Sequence, residues 1–82
     1  MAYLSSYSGK FKKAFKKLDS HAKEMVKKKI AKIVENPLSG KPLHYPLQNF
    51  KSERVEKLRI IYSIQGKTIS FAWIDDRGHA YG

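Results

Sequence analysis

Leu58-Arg59-Ile60-Ile61-Tyr62-Ser63-Ile64 is the stretch on which the fold turns. It is rich in β-branched and aromatic side chains, which lose rotamer freedom in a helix and pack well on a pleated surface, so it reads as a central strand. Downstream, Gln65-Gly66-Lys67 offers a turn, with Gly66 free to adopt a positive φ. Thr68 to Ile74 is a second strand, and Asp75-Asp76-Arg77-Gly78 reads as another turn. Upstream, Glu56-Lys57 is a short turn preceded by a strand over Phe50 to Val55.

Further upstream the period changes. Residues 37 to 49 hold Pro37, Gly40, Pro42 and Pro46, which break regular structure, while Leu38, Leu43 and Leu47 tie the segment to the core. Before it, Ala22, Met25, Val26, Ile30, Ile33 and Val34 form one helical stripe, ended by Asn36-Pro37. Glu24 is placed in the first turn of this helix, where the dipole favours an anion. Asp19-Ser20 offers its cap. Phe11, Ala14, Phe15 and Leu18 form an earlier stripe, with Ser8 as cap and lysines on the opposite face. A short extended segment near Tyr3 to Tyr7 opens the chain.

The expected fold is therefore α+β, in the order β-α-α-β-β-β. An N-terminal strand leads to an antiparallel two-helix hairpin, then to an antiparallel sheet. Both helices must bury their stripes on one sheet face, which leaves the other face for function. The 82 residues are expected to form one domain, 1–82.

Composition narrows the function. Lysine and arginine total 17 against 7 acidic residues, a net charge of +10, so the chain will seek polyanions such as nucleic acid or an acidic protein. With no cysteine, neither a disulfide nor a thiolate nucleophile is available. That suits a cytoplasmic location. No apolar run approaches the roughly 18 residues of a membrane span, and Met1 to Tyr7 is too polar for a signal peptide. No metal-ligand spacing occurs and no cofactor is expected.

The cations are segregated. All three arginines (Arg54, Arg59, Arg77) lie between residues 54 and 82, whereas 10 of 14 lysines precede residue 37. Lysine is a mobile point charge suited to diffuse attraction; arginine grips a phosphate with a planar fork. Arg54 and Arg59 flank one tight turn, so their side chains should be close. The tail Arg77-Gly78-His79-Ala80-Tyr81 adds groups able to move protons. Cleavage of RNA by its own 2′-hydroxyl needs a base, cations for the charged phosphorane and an acid for the leaving oxygen. His21 and His44 fall in a helix first turn and in the proline loop, apart from these groups. Trp73 and Phe71 are read as core rather than as base-stacking platforms.

Three pieces together resemble the RelE toxin family of the RelE/ParE superfamily. The run Lys12-Lys13-Ala14-Phe15-Lys16-Lys17-Leu18, with Val26-Lys27-Lys28-Lys29-Ile30 and Glu35-Asn36-Pro37, is similar to its helical hairpin. Leu58 to Ile64 is similar to its central strand, and Arg77 to Tyr81 to its closing element. The resemblance implies a toxin of a type II toxin–antitoxin pair, which cuts mRNA in the ribosomal A site without a metal. It implies catalytic roles for Arg59 at the scissile phosphate, Arg77 at the transition state and Tyr81. Lys51, Arg54, Lys57 and His79 become RNA-binding positions, and an acidic RelB-like antitoxin becomes the partner beside ribosome and mRNA. Some members carry two lysines on the second strand, where this chain has Ser52 and Glu53; Leu58 stands where an aromatic is usual. Two other functions fit the same sequence: a ParE-like inhibitor of DNA gyrase, and a nucleic-acid-binding domain without catalysis.

Overall fold

In a computed structural model, which describes residues 3–76, strand β1 (Leu4–Tyr7) leads into helices α1 (Gly9–Lys16) and α2 (Ser20–Glu35). A single 3-10 turn spans Pro37–Ser39, and the strands β2 (Lys41–Pro42), β3 (Lys51–Val55), β4 (Leu58–Gln65) and β5 (Thr68–Asp76) follow. The α+β class and the expected order hold, with the two-residue β2 added. All five strands form one sheet in the order β1-β5-β4-β3-β2. Strands β2 to β5 pair antiparallel, while β1 joins β5 in parallel, Leu4 opposite Thr68 and Tyr7 opposite Phe71. A parallel neighbour needs a long connection rather than a hairpin, and here both helices and three strands intervene.

Both helices begin at side-chain caps. The Ser8 hydroxyl accepts the Phe11 N–H at 3.0 Å and donates to the Ala72 carbonyl, fixing the start of α1 against β5. Asp19 accepts the Ala22 N–H at 2.8 Å and starts α2. Because α2 starts at Ser20, Glu24 sits beyond its first turn, not within it as the sequence suggested. Phe11 from α1 and Val26 and Ile33 from α2 pack against Val55, Ile60, Tyr62, Ile69 and Phe71 of the sheet. Each such side chain withdrawn from water contributes about 1.5–3 kcal/mol.

Strand β5 runs two residues into the expected turn, through Asp75 and Asp76. Those two pair with Arg59 and Leu58, so the backbone groups of β4 decide the matter rather than the turn propensity of aspartate.

The hairpin turns differ in strain. Gly66 adopts φ +62° where the β4–β5 turn requires it. At the β3–β4 turn the same demand falls on Glu56, with φ +54°, a conformation that costs a residue with a Cβ about 1 kcal/mol. Its carboxylate lies 3.1 Å from His21 Nε2, yet both side chains are more than half exposed, and such pairs contribute little. Glu56→Gly is expected to stabilise the fold by up to about 1 kcal/mol, a rise in Tm of roughly 4 °C. A lower melting temperature would mean that the His21 pair outweighs the backbone term.

Tyr62 anchors the 3-10 turn to the sheet. It is fully buried, and its hydroxyl donates to the Pro37 carbonyl at 2.8 Å. Burial, and secondarily the nearby Glu53 carboxylate, push the phenol up to about 12, partly offset by a hydrogen bond from the Gly40 backbone. The unfolded phenol releases its proton near pH 10. Below that pH the contribution of Tyr62 is complete; it falls as pH rises from about 10 to 12, because only the unfolded state has released the proton. Tyr62→Phe strands the Pro37 carbonyl and is expected to cost about 1–3 kcal/mol at neutral pH. Urea unfolding between pH 8 and 12 should show the difference between wild type and variant shrinking above pH 10.

Candidate active site

Alternation along the strands assigns the faces. Val55, Ile60 and Tyr62 point to the helices and enter the core cluster. Their neighbours in sequence, Arg54, Arg59 and Ile61, therefore emerge on the helix-free face. That face carries its own cover. Ile61 is fully buried although it stands outside the helix-side cluster. Phe50, just before β3, and Trp73 on β5 have ring centroids 5.5 Å apart. Because β3 and β5 lie on either side of β4, the two rings meet above β4. Lys10 at the start of α1 lies 5.1 Å from the Trp73 ring centroid. The face expected to be left free is thus half occupied, and Trp73 packs in this second cluster.

The segment after β2 folds back on the same face. The Leu43 N–H donates to the Phe50 carbonyl at 3.0 Å, Leu47 to His44 at 2.8 Å and Phe50 to Leu47 at 2.9 Å. The Tyr45–Pro46 peptide bond is cis. So held, the loop borders two adjoining hollows of about 360 and 420 Å³. Leu43, Tyr45, Pro46 and Leu47 give the first an apolar wall, and Tyr45 is 84% exposed. Ser39, Lys41, Ser52, Glu53 and Arg54 give the second a polar wall with two cations and one carboxylate. Arg59 and His44 line both.

Arg54 and Arg59 are direct cross-strand partners. Like charges so placed are destabilising by a few tenths to about 1 kcal/mol. On its other side Arg59 pairs in register with Asp75, one of whose carboxylate oxygens is buried with no hydrogen-bond partner among the described residues. Glu53 is engaged elsewhere: it accepts the Ser39 hydroxyl at 3.1 Å and lies 3.8 Å from Lys29 Nζ on α2. A two-oxygen acceptor that is already paired repels phosphate less than a bare one.

The residues expected at the site separate. Arg54 and Arg59 come together. Lys51 does not join them, since it pairs with Tyr62 and shares the parity of Glu53 and Val55, which puts it on the helix side. Lys57 is at the β3–β4 turn, lining a hollow with Asp19, His21 and Met25. Arg77, His79 and Tyr81 lie outside the described residues. Sequence reading missed Lys41, set His44 apart from the arginines and noted Ser52 only as a departure from the family's lysines. Ser52 was visible in its two-residue spacing from Arg54; nothing local marks Lys41, which the pairing of β2 with β3 delivers, or His44, which the returning loop delivers. No group of three His, Asp or Glu side chains among the described residues could hold a metal ion.

The family model for the ParE toxin of type II toxin–antitoxin systems, parDE, matches residues 6–81. No curated protein sequence matches the chain. Among solved structures, the toxin–antitoxin complex RelBE2 of Mycobacterium tuberculosis is similar at 23% identity and a TM-score of 0.84, over 94% of this chain and 100% of that one. YafQ from E. coli is similar at 22% identity and 0.79, over 95% and 97%. The isolated E. coli RelE toxin is similar at 21% identity and 0.79, over 98% and 89%. At these identities the likeness is one of fold.

Proposed function

This chain belongs to the ParE toxin family of type II toxin–antitoxin systems, within the RelE/ParE superfamily, and we propose that it is a toxin that cleaves mRNA in the ribosomal A site in the cytoplasm. The cross-strand pair Arg54–Arg59 on the helix-free face, with Arg59 lining both hollows and Arg54 the second, carries this reading. A cross-strand pair of arginines can grip a phosphodiester, whose oxygens accept from both forks. The 2′-oxygen attacks the adjacent phosphorus and the 5′-oxygen leaves. Arg59 and Arg77 stabilise the charge of the phosphorane, Tyr81 serves at the leaving oxygen, and Arg54, with Lys41 at the rim, holds the flanking backbone. No metal takes part in this scheme.

An acidic antitoxin complements the +10 charge. Tyr7, Phe11, Phe15 and Ile30 line an apolar groove bordered by Lys12, Lys16 and Lys27. An amphipathic segment with apolar anchors and flanking carboxylates fits there.

The family match itself favours a second reading, inhibition of DNA gyrase. The two separate in one experiment. Primer extension on an mRNA translated in a reconstituted system should show new stops inside A-site codons when the protein is added. Intact mRNA together with gyrase-dependent DNA breaks would replace the nuclease reading by the gyrase one.

A further inference from the structure

The nuclease reading, on which this inference rests, requires a group that accepts the proton of the attacking 2′-hydroxyl. Guanidinium and ammonium groups only donate, so Lys41, Arg54 and Arg59 cannot serve. Of the residues lining the two hollows, Glu53 and His44 carry side chains suited to take a proton. Glu53 already accepts from Ser39 and faces Lys29. His44 has the better position: with Arg59 it stands where the apolar and cationic hollows adjoin. A nucleotide whose base rests against Tyr45 and Leu47, with its 3′ phosphate between Arg54 and Arg59, has its ribose at that junction.

The geometry points to His44 as the general base of the reaction. A nitrogen of its neutral imidazole takes the 2′-hydroxyl proton as the 2′-oxygen bonds to phosphorus. The bond from phosphorus to the 5′-oxygen breaks, and that oxygen takes its proton from the acid that serves it in the scheme above. The products are a 2′,3′-cyclic phosphate and a 5′-hydroxyl, and the imidazolium returns its proton to solvent. The charged and titratable groups around His44 are Lys41 of β2, Glu53 and Arg54 of β3, Arg59 of β4 and Tyr45 of its own loop. His44 is exposed, and its backbone carbonyl, not its ring, holds the loop through Leu47; replacing the ring leaves that hydrogen bond in place.

The test is single-turnover cleavage of mRNA on programmed ribosomes between pH 5 and 9. It compares wild type, His44→Gln and His44→Gly, the last with and without added imidazole. The expected result is that the wild-type rate falls towards acid pH, and that His44→Gln loses about 100-fold in rate, loses that fall and binds ribosomes as before. It also expects imidazole to restore part of the rate of His44→Gly. Wild-type rate and pH profile in His44→Gln, or a loss in His44→Gly that imidazole leaves unchanged, would overturn the role of His44 while the nuclease reading stands. Absence of cutting by wild type would overturn the nuclease reading and this inference with it.

Discussion

Arg59→Ala is expected to reduce single-turnover mRNA cleavage by roughly 100- to 1000-fold, the effect of removing one fixed donor from a developing oxyanion. Arg59 lines both hollows, stands opposite Arg54 on one side and Asp75 on the other, and is half-buried in the middle of the sheet. It stands on the central strand of the sheet, and a cation held on a rigid element stabilises charge with little reorganisation at the moment of reaction. Arg54 is exposed near the end of β3, and its loss should weaken binding more than turnover. Arg59→Ala should remain folded, because the variant leaves Ile60, Ile61 and Tyr62 of the buried core in place. Circular dichroism checks the fold. Arg59→Lys separates charge from shape: a point charge without the planar fork should recover only part of the rate. Full activity in Arg59→Ala would place the chemistry elsewhere.

Gly40→Ala is expected to destabilise the protein by about 3 kcal/mol, the upper range for overpacking a core, and to lower Tm by roughly 12–24 °C in a domain of this size. A Cβ at residue 40 would overlap the Tyr62 hydroxyl and lie 3.0 Å from Tyr62 Cζ and 3.3 Å from Lys51 Cβ. The hydroxyl cannot yield easily, since it is buried and donates to Pro37. Gly40 is not at a positive φ; its smallness, not its backbone freedom, is what the position uses. Combining Gly40→Ala with Tyr62→Phe removes the overlapping oxygen. The double variant should be more stable than the sum of the two single effects predicts. A melting temperature unchanged in Gly40→Ala would mean that the 3-10 turn can move away from β4 at little cost.

Much of the fold was legible in the chain. The stripes at Phe11–Leu18 and Ala22–Val34, the caps at Ser8 and Asp19, and the strands on either side of Glu56-Lys57 and Gly66 all fall where local periodicity and turn chemistry put them. Such signals act over a few residues, and each element obeys its own. The adjacency of Arg54 and Arg59 was legible for the same reason, because a two-residue turn leaves little freedom in the register of its flanks. Even the separation of Lys51 from Arg54 follows from counting by twos, once Val55 is assigned to the core.

The remaining features depend on where distant segments meet. The parallel seat of β1 beside β5, the extension of β5 through Asp75 and Asp76, and the closure of Phe50 on Trp73 above Ile61 involve partners far apart in sequence. Their energies come from burial and from backbone groups that only a formed sheet presents. Lys41 reaches the arginines through the pairing of β2 with β3, opposite Ser52, and His44 by the return of an irregular loop, whose path is set by three backbone hydrogen bonds and by packing rather than by any repeating pattern. The sequence by itself determined the element order, the helix-covered face and the arginine pair, because these follow from short-range periodicity. Only the tertiary structure decided what stands beside that pair, because side chains on different loops and strands become neighbours through the packing of the whole chain.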